Sequence, residues 1–147
     1  MTQELGLING QEAPTTDERV DGVTEHAPDS FKAFIGGYMG ESYGIQWKQG
    51  KLWYEHFARG YQKQDTTEIE VSAKDWQRFW ATLDRLSVWE WDTRYAPDSP
   101  ICDGTHWSLK IEYEGKSLDA SGSNAYPPAF EKLCAAVRRL AGGLPFS

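Results

Sequence analysis

Cysteine is scarce in this sequence. The 147 residues include two, Cys102 in a segment rich in Pro, Asp and Gly and Cys134 on the apolar stripe of a predicted helix. Small secreted domains that cannot build a sufficient core rely on several disulfides, whereas a chain of this length can bury a core without them. We therefore predict one domain with no disulfide framework.

A long hydrophobic run is absent from the N-terminal region. The first residues, MTQELGLINGQEAP, contain neither the basic start of a secretory signal nor an apolar stretch that would anchor the chain in a bilayer. The sequence therefore predicts a cytoplasmic protein that does not act at a membrane.

Positive charge is in deficit. The chain has 15 Lys and Arg against 22 Asp and Glu, which leaves a net charge of -7. No diffuse positive field attracts a phosphate backbone, so the balance argues against nucleic-acid binding. An acidic surface suits a basic protein partner, although many acidic proteins use their charge only to stay soluble.

The common catalytic motifs are missing as well. The sequence has no Walker-type phosphate loop, no dinucleotide fingerprint, no Gly-x-Ser-x-Gly elbow and no His-Glu-x-x-His. Carboxylate pairs such as Asp92 with Asp103 can be drawn in any chain with 22 acidic residues, and spacing favours none of them. We therefore expect no catalytic residue, no metal and no cofactor, which weighs against an enzyme without excluding an unusual site.

Aromatic residues, by contrast, are abundant. They make up 14% of the chain and include seven Trp. Exposed rings can form a stacking surface for sugars, but their usual role in a small domain is to fill the core. Carbohydrate binding would require at least two coplanar rings at the surface, with the candidates being Trp47, Trp53, Trp89 and Trp91.

The composition changes near residue 28. Residues 1–28 are rich in Gly, Pro, Thr, Asp and Glu and show little apolar periodicity, which is typical of a segment that cannot bury enough surface to order itself. We predict a flexible tail at 1–28 and a single domain at 29–147.

The first half of that domain is predicted to contain three or four strands and a helix. A strand at 31–39 precedes a hairpin, in which a two-residue turn at 49–50 pairs Trp47 with Leu52. In this register His56 falls on the apolar face, and we interpret it as a hydrogen-bonded, partly buried side chain. A further strand at 66–71 can pair on either side of the hairpin. Ser72 and Asp75 have the spacing of a capping box, and apolar residues follow at helical spacing: Trp76, Phe79, Trp80, Leu83 and Leu86.

The second half repeats the order of hairpin and helix. After an irregular stretch at 88–103, a hairpin pairs Ile111 with Leu118 and leaves one face polar. A final helix has Pro128 in its first turn and an apolar stripe. Together these elements predict an α+β fold, with an antiparallel sheet of five to six strands and two amphipathic helices packed on one face.

One short segment combines a thiol, a carboxylate and an imidazole, in Cys102, Asp103 and His106. A zinc site needs three or four ligands that are themselves oriented by hydrogen bonds from neighbouring groups. A cysteine nucleophile needs a base and an oxyanion hole. Asp103 followed by glycine is also an ordinary turn before a strand. The turn interpretation is favoured.

Two loops are candidate binding surfaces, because loops on a rigid scaffold commonly carry function. In the first, Trp89 and Trp91 alternate as if on a short extended segment, with Tyr95 after them. In the second, Asn124 can adopt a left-handed turn, and Tyr126 offers a ring and a hydroxyl. The alternative role for both loops is structural, as rings that seal the end of the sheet and a corner that leads into the helix.

The last third of the chain, residues 103–140, resembles a pattern found in small uncharacterised bacterial proteins. The features shared are Asp-Gly-Thr-His-Trp, a Trp-x-Leu-x-Ile-x-Tyr strand, Gly-Ser-Asn-Ala-Tyr-Pro and a closing amphipathic helix. The Trp-x-Trp region before it is similar too. The resemblance implies a bacterial or phage-borne protein and brings no catalytic residues with it.

Two functional hypotheses follow. The first is a non-enzymatic module that binds another protein, of which a toxin-neutralising immunity protein is one concrete form. The second is a small-molecule or carbohydrate-binding, or hydrolytic, domain whose pocket is formed by Trp91, Tyr95, Asp103, His106 and Tyr126.

Overall fold

The computed structural model describes residues 25–98 and 104–147. These residues contain seven strands and two α-helices. In chain order the elements are β1 (Ser30–Gly36), β2 (Ser42–Lys48), β3 (Lys51–Ala58), β4 (Gln62–Ile69), α1 (Ala73–Arg85), β5 (Arg94–Tyr95), β6 (His106–Tyr113), β7 (Lys116–Ser123) and α2 (Phe130–Leu140), with one turn of 3-10 helix, Val88–Glu90, between α1 and β5.

The strands form one sheet in the order β4-β3-β2-β1-β6-β7-β5. The α+β class is as predicted, but the strand count is higher and one pair is parallel. The additional strand is β5, which lies parallel to β7 at the edge of the sheet. It is two residues long, which is too short for an alternating pattern to reveal it.

Both predicted hairpins form with the predicted registers. Trp47 pairs with Leu52 across β2 and β3, and Ile111 pairs with Leu118 across β6 and β7. At each turn both central residues have positive φ, with Gln49 at 56° and Gly50 at 76° in the first. This geometry matches the right-handed twist of the flanking strands.

The ends of two other strands differ from their predicted positions. β1 stops at Gly36 rather than at residue 39, and β4 runs from Gln62 to Ile69 rather than from 66 to 71. β4 pairs with β3 alone and occupies the outer edge of the sheet. The first half of β4 is polar and shows no alternation of apolar and polar residues. We infer that it is extended because it pairs with β3 through backbone hydrogen bonds.

Helix α1 begins with the predicted capping box. The Asp75 amide donates to Ser72 Oγ at 3.1 Å, and the Ser72 amide donates to Asp75 Oδ2 at 3.2 Å. Each bond pairs an amide that the helix itself leaves unsatisfied.

The two helices pack on the same face of the sheet. Trp76 of α1 meets Phe31 and Trp47 edge to face, and Phe130 of α2 lies 4.8 Å from Trp107, centroid to centroid. One core results, with the fully buried large side chains Trp76, Phe31, Ile45, Leu52, Leu83, Leu109, Ile111, Leu133, Val88 and Val137.

Helix α2 begins later than predicted. Ala129 is its N-cap and has a φ of 67°, so Pro128 precedes the helix instead of occupying its first turn. A left-handed residue interrupts the helical backbone, which is why regular hydrogen bonding starts only after Ala129.

Residues 25–29 contact the domain, although 25–28 fall within the predicted tail. The Trp80 indole donates to the His26 carbonyl at 2.6 Å, and the Asp29 amide donates to the Glu112 carbonyl at 2.8 Å. Pro28 is buried. The contacts between this segment and the domain therefore begin before residue 29.

The described residues contain no helix that is long and apolar enough to span a membrane.

Candidate functional site

Part of the predicted loop surface comes together as an aromatic cluster at the start of β6. Trp91 and Tyr95 lie 6.2 and 5.8 Å from the ring of the buried Trp107. Phe130 at the start of α2 contacts Trp107, and Tyr126 packs against Phe130 with centroids 5.0 Å apart and the ring planes tilted by 40°. Tyr126 is the exposed member of the cluster, while Trp91 and Tyr95 are half-buried.

Trp89 belongs to a different part of the molecule. It lies in the 3-10 turn rather than on the extended segment predicted from its spacing with Trp91. Its indole donates to Asp84 Oδ1 at 2.8 Å, and the Lys116 ammonium lies 5.3 Å from its ring centroid. The hydrogen bond from Trp89, followed by that from Lys116, lowers the pKa of Asp84. These contacts link the end of α1, the 3-10 turn and the start of β7.

Asn124 shapes a corner of the backbone. It has the left-handed φ, 52°, that the sequence predicts, and its Oδ1 accepts from the Thr105 amide at 3.1 Å. The backbone N–H of Asn124 donates to the Thr105 carbonyl at 2.9 Å. Gly104 packs so closely on this side chain that a Cβ there would overlap the Asn124 amide group.

His106 faces away from the aromatic cluster. It alternates with Trp107 along β6, which places it on the face of the sheet opposite the helices, and its Nδ1 lies 2.7 Å from Ser123 Oγ. Asp103 and Cys102 fall outside the described residues. The proposed grouping of Asp103 with His106 therefore stays a prediction.

A groove lies beside Tyr126. It has a volume of about 580 Å³ and runs between the N-terminal end of α2 and the neighbouring strand ends. Its lining residues include Ile35, Thr105, Tyr126, Phe130 and Cys134. The lining is mostly apolar, which is typical of a small-molecule site.

The Cys134 thiol is expected to be inert in the folded protein. The side chain is fully buried, and burial raises its pKa to about 12, so little reactive thiolate forms at neutral pH. In a Cys102→Ser background, Ellman's reagent should leave Cys134 unlabelled until urea unfolds the protein. Labelling of the folded protein at the rate of a free thiol would contradict this placement.

A second group of large apolar side chains, most of them aromatic, was not predicted from the sequence. It lies at the opposite face of the sheet from the helices, where the β1–β2 and β3–β4 loops meet. We call it the sheet-end patch, and it comprises Phe34, Tyr38, Met39, Phe57 and Tyr61. Tyr38, Met39 and Tyr61 are 60%, 54% and 44% exposed. Three of the four large hydrophobic side chains exposed in the described part of the chain are therefore gathered here.

The sheet-end patch is held in place by backbone and ring contacts. The Gly60 amide donates to the Tyr38 carbonyl at 2.7 Å, which joins the two loops. Tyr61 lies 5.9 Å from Tyr38 and 6.2 Å from Phe34, centroid to centroid. Gly60 and Tyr61 both have positive φ, 77° and 59°, which turns the chain sharply enough to bring these rings together.

A third feature, the sheet-face pocket, lies at the same end of the sheet on the helix side. It has a volume of about 320 Å³. Its walls are Glu41, Tyr43, Tyr54, His56, Asp65, Thr66, Thr67, Leu144 and Pro145. Of the described residues outside the sheet and its loops, those that line this corner belong to the segment after α2. A hydrogen bond of 2.5 Å from the Tyr54 hydroxyl to the Pro145 carbonyl holds that segment.

Three rings form a near-parallel stack in the sheet-face pocket. Tyr43 lies 5.5 Å from His56 with 13° between the planes, and 6.4 Å from Tyr54 with 28°. Burial, with a smaller contribution from neighbouring Tyr43, raises the pKa of Tyr54 to about 12. Burial and the Glu41 carboxylate also raise the pKa of Tyr43, so both phenols stay protonated at neutral pH.

His56 lies between two carboxylates. Its Nε2 is 3.3 Å from Glu41 Oε1, and its Nδ1 is 3.7 Å from Asp65 Oδ2. Neither contact has hydrogen-bond geometry, and the enclosed Nε2 has no hydrogen-bond partner among the described residues. The predicted face is correct, but the predicted hydrogen bond is not present in the described part of the chain.

The described residues hold no group of three or more His, Cys, Asp and Glu side chains placed to bind a metal ion. The seven Trp all lie in the described ranges, and each is buried or half-buried, so no indole forms the exposed sugar platform considered above.

No protein-family model matches the chain, and no curated protein is similar to it.

Proposed function

We propose that this protein is a non-enzymatic module that binds a basic protein through the sheet-end patch. The observation that carries the proposal is the gathering of Tyr38, Met39 and Tyr61 at one place, all exposed. Contiguous apolar patches on a soluble domain commonly mark interaction sites, whereas single exposed hydrophobic residues are ordinary.

The chemistry of the patch is that of a protein interface. Tyr, Met and Arg are enriched at interfaces relative to the rest of a protein surface, and the patch has two tyrosines, Met39 and the neighbouring Arg59, whose guanidinium lies 3.9 Å from Met39 Sδ. The two tyrosines present large, rigid surfaces, and each loses few rotatable bonds on binding.

The side chains of the sheet-end patch are also already ordered before a partner binds. The Gly60 to Tyr38 hydrogen bond and the contacts among Tyr38, Tyr61 and Phe34 already hold the rings in one arrangement. Less conformational freedom is therefore lost when a partner binds, which favours affinity.

The sign of the partner's charge follows from the charge of the chain. A net charge of -7 attracts a basic protein and repels an acidic one. A toxin-neutralising immunity protein is one concrete form of such a module, because it binds a single target protein tightly and needs no chemistry of its own.

The test compares two sets of exposed tyrosines. The tagged protein is used to capture its partner from the native host, and the purified partner is then titrated calorimetrically against Tyr38→Ala/Tyr61→Ala and against Tyr126→Ala. We expect a basic partner whose Kd rises roughly 30-fold or more in the double variant, since an interface tyrosine commonly contributes about 2 kcal/mol. Tyr126→Ala removes a tyrosine elsewhere that is as exposed as Tyr61, and it should leave Kd unchanged.

Equal affinities for wild type and the double variant would contradict the proposal, as would a captured protein that is acidic. Loss of affinity in Tyr126→Ala instead would move the protein interface to the groove beside Tyr126. A second candidate function, the binding of a small apolar ligand, is favoured by the concave shape of that groove and its lining by Phe130 and Tyr126.

A further inference from the structure

We propose that the sheet-face pocket is a binding site for a guanidinium group, such as an arginine side chain. The proposal deepens the function proposed above, because a basic partner is one source of such a group. A free small molecule is the other source. The site itself stands on the geometry of Glu41, Tyr43, Tyr54, His56 and Asp65.

The charge of the pocket selects a cation. Glu41 and Asp65 both line it, and its lining residues in the described ranges include no Lys or Arg. Glu41 accepts one hydrogen bond, from the Tyr43 hydroxyl at 3.0 Å, so the two carboxylates retain acceptor positions. A guanidinium offers five donors in a planar fork that matches carboxylate oxygens.

The shape of the walls selects a flat cation. His56, Tyr43 and Tyr54 present a stack of near-parallel rings along one side of the cavity. A guanidinium stacks on aromatic faces and is attracted by their electron-rich surface, whereas an ammonium is a compact, strongly hydrated point charge. The pocket, at about 320 Å³, has room for the guanidinium and part of its aliphatic stem.

The imidazole of His56 adds a flat wall between the two carboxylates, with Nε2 3.3 Å from Glu41 Oε1 and Nδ1 3.7 Å from Asp65 Oδ2. The side chain is 27% exposed and lines the cavity, so part of the ring is open to a ligand. A guanidinium stacked on the ring can donate to both carboxylates.

A metal ion fits the site less well. The carboxylates lie on opposite nitrogens of the imidazole, 3.3 and 3.7 Å away, so they are spread along the ring. Metal ligands converge on one point at about 2.0–2.6 Å. The arrangement favours an extended organic cation.

The experiment uses the full chain and two matched probes. N-acetylarginine amide carries the guanidinium, and N-acetylcitrulline amide has the same shape without the charge. We expect saturable shifts of the His56, Tyr43 and Tyr54 ring resonances with the arginine probe and none with the citrulline probe. Shifts of equal size with both probes, or with neither, would overturn the proposal.

Two sets of substitutions complete the test. Glu41→Gln/Asp65→Asn should weaken binding of the arginine probe roughly tenfold or more, because two charge-assisted contacts are lost. Glu68→Gln removes a carboxylate from the same strand as Asp65 but on the other face and should change nothing. All three side chains are well exposed, so each variant is expected to fold, which thermal unfolding checks.

The same variants distinguish the source of the cation and separate this proposal from the function above. If Glu41→Gln/Asp65→Asn weakens binding of the captured protein as well as binding of the arginine probe, the ligand is an arginine of that partner. If the double substitution weakens binding of the probe alone, the ligand is a free guanidinium compound. A protein that binds its partner through Tyr38 and Tyr61 but shows no binding of the arginine probe retains the proposed function and refutes the cation site.

Discussion

Replacing Trp76 with alanine is expected to lower the free energy of unfolding by about 3–5 kcal/mol, the usual cost of removing a buried aromatic side chain. Trp76 is completely buried and lies within 6.3 Å, centroid to centroid, of Phe31, Trp47, Phe79 and Trp80. Together with Phe79, which contacts Phe31, and Trp80, which stacks on Tyr113, it packs α1 on the sheet. Since domains are stable by about 5–15 kcal/mol in total, this one change removes a large share of that stability.

Urea denaturation followed by far-ultraviolet circular dichroism measures this loss, with Trp76→Phe as the matched variant. Phenylalanine keeps an aromatic ring in the core and removes an indole N–H that has no hydrogen-bond partner within residues 25–98 and 104–147. Removing that N–H also removes the free-energy penalty of burying an unsatisfied donor. We therefore expect Trp76→Phe to lower the free energy of unfolding by less than half as much as Trp76→Ala. Equal costs for the two variants would contradict the packing role assigned to the ring.

Replacing Gly122 with alanine is expected to cost about 1–3 kcal/mol, although it adds a single methyl group. Gly122 is buried in β7, and a Cβ there would overlap the Trp107 indole nitrogen and the Ala125 carbonyl oxygen. Those two atoms hydrogen-bond to each other at 2.9 Å. The methyl group would force them apart and disturb the corner between β7 and α2.

Gly44→Ala is the control for this prediction. Gly44 is also a buried strand glycine, but its added Cβ would meet its nearest atoms, on Glu55, Phe57 and Ala33, at 3.7–3.8 Å, which is ordinary contact. We expect the free energy of unfolding to change by less than about 0.5 kcal/mol in this variant. Comparable destabilisation by the two substitutions would show that steric crowding at Trp107 is not the cause.

Much of the fold follows from patterns a few residues long. The turns at 49–50 and 114–115 determine the registers of both hairpins, because a two-residue loop leaves one pairing that puts the apolar side chains on a single face. The capping box of Ser72 and Asp75 defines the start of α1 in the same way. These elements were predictable because their interactions join near neighbours in the chain.

Other elements depend on distant partners. Strand β5 exists because Arg94 and Tyr95 lie beside Ser121 and Gly122, and the polar first half of β4 is extended because β3 pairs with it. Neither segment has an apolar pattern of its own. Periodicity reports burial along one segment and contains no information about which strand will lie beside it.

The features of the candidate sites divide in the same way, into those that the sequence predicts and those that depend on distant partners. The sequence by itself determined the acidic charge, the placement of His56 on the apolar face of its strand and the left-handed corner at Asn124. Only the tertiary structure decided that Tyr38 and Tyr61 share an exposed patch and that Glu41 and Asp65 flank His56. These groups come from separate loops and strands that meet at one end of the sheet, and their exposure depends on which surfaces the two helices cover.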